Sequence, residues 1–144
     1  VKERDLDDRL LDYAARIVRV VDALRRTVAG RRIGDQLLRS GTSVGANYQE
    51  AQGAESRDDF VHKVQISLKE VRESHYWLSL IIRAELLPAA QLEPLLTEAS
   101  ELRAILSKAV ATAKSRTAGF TLLPFAFCLL PFALQLFSLG DPNL

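Results

Sequence analysis

Apolar residues recur at alternating four- and three-residue steps through most of this chain, a spacing that gathers side chains on one face of an α-helix. Leu10, Ala14, Ile17, Val21, Leu24 and Val28 form the first row, and Gly30 predicts its end. Ile33, Leu37, Gly41, Val44, Tyr48 and Ala51 form the second, which predicts a helix over about 32–52 closed by Gly53. Ser56 reads as the N-cap of a third helix over about 57–85, with Asp58 and Asp59 where the helix dipole favours negative charge. Its inward row is Phe60, Val64, Leu68, Val71, His75, Leu78 and Ile82. Pro88 and Pro94 bracket the predicted turn into a fourth helix, where Leu95, Ala99, Leu102, Ile105 or Leu106, Ala109 and Ala113 repeat the spacing.

Short connections make consecutive helices antiparallel neighbours. The fold expected over residues 5–116 is therefore all-α, an antiparallel up-down-up-down four-helix bundle. Two features go beyond a plain bundle. Glycine in a helix interior costs roughly 1 kcal/mol against alanine, yet Gly41 and Gly45 stand four apart among Ser40, Thr42, Ser43 and Ala46. That spacing predicts tight helix packing on a cleared face. On the third helix Ile66, Trp77 and Leu80, with Ile81 on the flank, fall opposite the core row. A second apolar stripe predicts burial against another subunit.

The last 28 residues follow a different pattern. From Thr117 to Leu144 the only charged side chain is Asp141, and Leu-Leu-Pro-Phe-Ala at 122–126 recurs at 129–133. Phe120 to Leu139 is an uncharged stretch long enough to span a bilayer, but Pro124 and Pro131 interrupt it. The expectation is a low-complexity extension outside the fold; a membrane anchor and an apolar strap are the alternatives.

Composition narrows the function classes. Nineteen Lys and Arg against eighteen Asp and Glu leave a net charge of +1, a weak field for a polyanion binder. Charge is nevertheless concentrated: from Ala15 to Arg39 seven arginines face only Asp22 and Asp35, a local +5. Arg16, Arg19, Arg26, Arg31, Arg32 and Arg39 are the candidate phosphate contacts for RNA or DNA. The single Cys128 and a charged start, Val1 to Asp5, fit a reducing, cytoplasmic location.

Catalytic and metal signatures do not emerge. Asp59-Phe-Val-His62 is the nearest approach to a bundle di-metal motif, occurs once and carries the wrong acid. His75 is expected as a core histidine with a satisfied hydrogen bond. Glu70 and Glu73 are expected as surface charges, and Ser40, Ser43 and Asn47 as a polar row bonded to nearby backbone. No phosphate loop, G-x-S-x-G elbow or Cys-His pairing occurs. The expectation is a non-enzyme with no cofactor, no catalytic residue and no metal site.

The segments Gln36-Leu-Leu-Arg-Ser-Gly-Thr-Ser-Val-Gly-Ala-Asn47 and Glu50-Ala-Gln-Gly-Ala-Glu-Ser56 match a known pattern, as do Phe60 with Lys63, Ser67-Leu-Lys-Glu-Val-Arg-Glu73 and Tyr76-Trp-Leu78. Together they resemble the bacterial four-helix-bundle family that includes the 23S rRNA intervening-sequence proteins. The resemblance covers about residues 5–116 and implies an antiparallel bundle assembled as a homo-oligomer, by analogy a ring-like pentamer. Accessory variability proteins of diversity-generating retroelements look like relatives, which implies nucleic acid and a reverse transcriptase as partners. The apolar tail departs from the family pattern.

Overall fold

The computed structural model describes residues 6–24 and 26–118. They form four helices: α1 Leu6–Leu24, α2 Val28–Gln52, α3 Arg57–Arg83 and α4 Ala89–Ala118. No strand occurs among the described residues. The compact unit that holds the helical core ends at Ala113. No described helix is long and apolar enough to cross a membrane; the apolar run expected to lie outside the fold, Phe120 to Leu139, is outside the described residues.

The α1–α2 junction is tighter than the apolar spacing predicted. Gly30 does not stop α1; it lies in the first turn of α2, whose N-cap is Thr27. The Thr27 hydroxyl accepts from the Gly30 N–H at 2.9 Å, which satisfies an N-terminal donor left without an intrahelical partner. A Cβ on Gly30 would stand 2.1 Å from the Leu24 carbonyl oxygen, so only glycine lets α2 start this close to the end of α1. Val28 thereby leaves the α1 row and is 68% exposed.

At the other ends the caps are conventional in part. Ser56 accepts from the Asp59 N–H at 3.1 Å and opens α3. α3 stops at Arg83, two residues before the expected end, because Glu85 turns left-handed with φ 54°. The Leu86 N–H then reaches back to the Ile81 carbonyl at 3.0 Å, the wrap that ends many helices, here with Glu in the place glycine usually takes. Pro94 does not bracket the α4 start; it lies inside α4, where it is exposed and forfeits one backbone bond.

Tyr13, Ile17, Leu37, Val44, Val64, Val71, Leu78, Leu92 and Leu102 are fully buried at the bundle centre. The α3 face differs from the predicted row. Val61, Ser67, Ser74 and Ile81 turn inward, whereas Phe60, His75 and Ile82 sit only half-buried. Two serines cause this. The Ser67 hydroxyl donates to the Val44 carbonyl of α2 at 2.7 Å, and Ser74 exchanges a 2.8 Å hydrogen bond with Tyr13 of α1. A row read from apolar residues alone passes over small, satisfied hydroxyls. Ile81 is accordingly a core residue, fully buried, and is removed from the predicted subunit interface.

Candidate nucleic-acid interface

α1 is bordered on one side by α2 and on the other by α4. Towards α4, Arg9 is consumed by the fold: its guanidinium pairs with Glu98 at 2.9 Å and Glu101 at 2.6 Å. About two and three turns further along, Arg16 and Arg19 line a groove with Val20, Ala23, Leu87, Gln91 and Leu95. It adjoins a second hollow of about 390 Å³ formed by Ala23, Leu24, Arg26, Thr27, Leu86, Leu87, Pro88 and Gln91. Ala23, Leu87 and Gln91 belong to both, so the two make one trough with three arginines and no carboxylate among its lining residues. Its floor is leucine and proline; its polar groups are guanidinium, amide and hydroxyl. Such a surface attracts anions and leaves them unspecified by sequence.

The six candidate arginines do not share one fate. Arg19 and Arg26 are exposed, and Arg16 is half-buried at the trough. Arg31 and Arg32 are exposed on the first turns of α2. Arg39 is separate. It pairs with Glu70 at 3.4 Å and with Glu73 of α3, and Glu73 also accepts from the Trp77 indole N–H at 3.2 Å. The Arg39 hydrogen bond holds the Glu73 carboxyl below the usual carboxylate range against a smaller opposing effect of burial. Arg39 is thus occupied in clamping α2 to α3, and Glu70 and Glu73 serve as its counter-ions.

The glycine face lies between α1 and α2. A Cβ on Gly41 would stand 2.7 Å and 2.8 Å from the two γ-carbons of Ile17, whereas one on Gly45 would meet the Leu10 Cβ at an ordinary 3.4 Å. Gly34, absent from the sequence reading, faces Val21 on the same seam. The polar row beside it bonds locally: Ser40 donates to the Gln36 carbonyl at 2.9 Å and Asn47 to the Ser43 carbonyl at 2.8 Å.

Ile66, Trp77 and Leu80 of the predicted interface are each half-buried within the chain. Among the described residues the large apolar side chains most exposed are Leu11 at 71% and Val28 at 68%, with Val18 also open. Leu11 and Val18 are two turns apart on α1, and Leu11 edges a hollow of about 340 Å³ with Leu10, Ala14, Thr42, Gly45 and Ala46. The Thr42 hydroxyl donates to the Leu38 carbonyl of its own helix at 2.8 Å.

His75 is half-buried, and burial followed by the positive charge of Arg103 pushes its pKa down. No group of three or more His, Cys, Asp or Glu able to hold a metal occurs among the described residues.

A search of curated proteins found no match. Among solved structures, a protein of unknown function from the S23 ribosomal protein family of Bacteroides thetaiotaomicron VPI-5482 is similar at 38% sequence identity and a TM-score of 0.68. The match covers 74% of this chain and 98% of that one. Residues 6–108, which include all of α1 to α3 and most of α4, match the 23S rRNA-intervening sequence proteins. The chain belongs to the 23S rRNA-intervening sequence protein family.

Proposed function

We propose that this chain is a non-enzymatic, homo-oligomeric accessory protein that associates with nucleic acid through the arginine trough between α1 and α4. One observation carries the reading: Arg16, Arg19 and Arg26 converge on a trough whose lining contains no carboxylate, in a chain of nearly balanced charge. Two other arginines are neutralised, Arg9 by Glu98 and Glu101 and Arg39 by Glu70 and Glu73. Arg31 and Arg32 extend the basic surface onto α2. The family's name links it to 23S rRNA, which favours RNA as the first ligand to try. An adjacent reverse-transcriptase gene, or placement within an rRNA gene, would decide which nucleic acid the chain meets.

The test is binding of labelled RNA and DNA at 50 and 200 mM salt, with the full chain and a triple Arg16→Ala, Arg19→Ala, Arg26→Ala variant. Phosphate contacts give an affinity that falls steeply with salt. Salt-independent binding, or a triple variant that binds as tightly as the parent, would remove the proposal.

Self-association is the second part of the reading. Leu11 and Val18 are exposed on α1, Leu11 at the edge of a hollow whose apolar and small lining is rimmed by Asp7, Asp8 and Gln49, and a second copy of the chain is the occupant we propose. This moves the contact from the Ile66, Trp77 and Leu80 stripe to the α1–α2 side.

A further inference from the structure

α3 lies diagonally across the bundle from α1, and its outer side carries a feature that the arginine trough does not use. His62, Gln65, Lys69, Arg72 and Tyr76 follow one another at three- and four-residue steps, so they form one stripe about 21 Å long at 1.5 Å per residue. A groove of about 240 Å³ along it is lined by His62, Gln65, Ile66, Leu68, Lys69 and Arg72, again with no carboxylate. Of the acids of α3, Glu70 and Glu73 are held by Arg39, Asp59 lies in the first turn, and Asp58, four residues ahead of His62, continues the stripe at the end away from Lys69, Arg72 and Tyr76. α4 adds Arg103, close enough to His75 to press its titration down.

At the end of the stripe stands Tyr76. It is 58% exposed, an unusual state for a large aromatic, and its ring is braced edge-on by Trp77 with centroids 5.1 Å apart. Trp77 is itself fixed through its indole N–H to Glu73. A basic groove leading to a braced, open ring suits a phosphodiester backbone whose bases are unpaired, because stacking on an aromatic requires a free base face. A duplex hides those faces and would meet only the charges.

We propose that the α3 stripe from His62 to Tyr76 is a second nucleic-acid site, specific for single strands, with Lys69 and Arg72 on the phosphates and Tyr76 stacking a base. This rests on nucleic-acid association as the general reading but on different residues.

The experiment measures anisotropy of a labelled 12-nucleotide single-stranded RNA and of its duplex, using the full chain. Variants are Tyr76→Ala, Tyr76→Phe, a Lys69→Glu/Arg72→Glu pair and the triple arginine variant of the trough. Tyr76→Ala should weaken single-strand binding by roughly 5- to 150-fold, the range for loss of one stacking aromatic, while Tyr76→Phe stays within about twofold of the parent. Duplex affinity should be unmoved by either. Trp77, the only tryptophan in the chain, gives a second readout: single strands should change its emission, and duplex should not. Tyr76→Ala within twofold of the parent overturns this site, as does displacement of the RNA by a poly-glutamate of equal charge at equal concentration. Loss of RNA binding only in the trough variant overturns it while leaving the α1–α4 reading intact, and no RNA binding by the parent overturns both.

Discussion

Ile17 of α1 occupies the space that a side chain at Gly41 of α2 would need, with both its γ-carbons within 2.8 Å of the missing Cβ position. Ile17 is fully buried and branched at Cβ, so it cannot swing aside. Gly41→Ala therefore gains about 1 kcal/mol of helix propensity but incurs about 1–3 kcal/mol of overpacking. The expected outcome is net destabilisation of up to about 2 kcal/mol. Gly45 is the internal control. Its Cβ would meet Leu10 at 3.4 Å, so Gly45→Ala should stabilise by about 0.5–1 kcal/mol. Urea midpoints of the two variants should move in opposite directions; movement in the same direction would break the steric account.

The Tyr13–Ser74 bond crosses the bundle centre, and its two ends are not equivalent. Ser74 also engages the Val71 carbonyl at 3.0 Å, so Tyr13→Phe leaves the serine with a partner and should cost only about 0.5–1.5 kcal/mol. Ser74→Ala strands a buried phenol hydroxyl and should cost about 1–3 kcal/mol. Burial is the largest influence on Tyr13 and raises its pKa to about 12, with Ser74 and Arg16 opposing. A raised folded-state pKa means this stabilisation is complete below pH 10 and is lost as pH rises towards 12. The loss is on the order of 2–3 kcal/mol. Denaturant midpoints between pH 9 and 12 should fall more steeply for the parent than for Tyr13→Phe.

How much of this was readable beforehand depends on what each position contributes. The four helices and their antiparallel order were legible, because long apolar rows at helical spacing and short links leave few alternatives. The Ser56 cap was legible for the same local reason. The rotation of α3 was not, since Ser67 and Ser74 are buried through hydrogen bonds to other helices and look polar in sequence. Gly30 was misread as a terminator because a glycine after an apolar row has two uses, and the clash with Leu24 that separates them is a tertiary distance. For the candidate site, clustering of arginines along the chain was visible. That Arg39 turns to α3 while Arg16, Arg19 and Arg26 converge was not, because the partners lie on α3 and α4. Tyr76 was quoted only as part of a motif; its exposure gave no sequence signal.

Glu85 holds a left-handed backbone at the end of α3, a conformation that costs a side-chain-bearing residue about 1–2 kcal/mol. Glycine adopts it freely but loses more entropy on folding. Glu85→Gly should therefore stabilise by about 0.5–1 kcal/mol, raising the melting temperature by a few degrees. Glu85→Val, β-branched, should lower it. Equal melting temperatures for all three would show that the turn is not under strain.

Self-association separates two faces of the same molecule. If copies meet through α1 and α2, Leu11→Glu with Val18→Glu should lower the mass in solution with helix content unchanged, since both side chains are exposed within the chain. Trp77→Asp should leave the mass alone if the α3 stripe is free for single strands. Light scattering on both variants decides the matter. An assembly broken by Trp77→Asp alone returns the interface to α3 and sets it against the stacking role of Tyr76, whereas a parent that is monomeric at every concentration removes self-association altogether.

Salt dependence can assign the arginines individually. Each phosphate contact on duplex nucleic acid adds about 0.9 to the slope of log affinity against log salt, and about 0.7 on a single strand. Arg16→Ala, Arg19→Ala and Arg26→Ala should each lower that slope by roughly one such increment, because their charges line the trough without a carboxylate among the lining residues. Arg39→Ala should leave it unchanged, since Glu70 and Glu73 already neutralise that guanidinium. Glu73→Gln sharpens the contrast: freeing Arg39 from its nearer partner creates an available cation, and the slope should steepen rather than fall. A slope that drops for Arg39→Ala as much as for Arg19→Ala would mean that the ion pair opens on binding, and that the phosphate path runs over the α2–α3 seam instead of the α1–α4 trough.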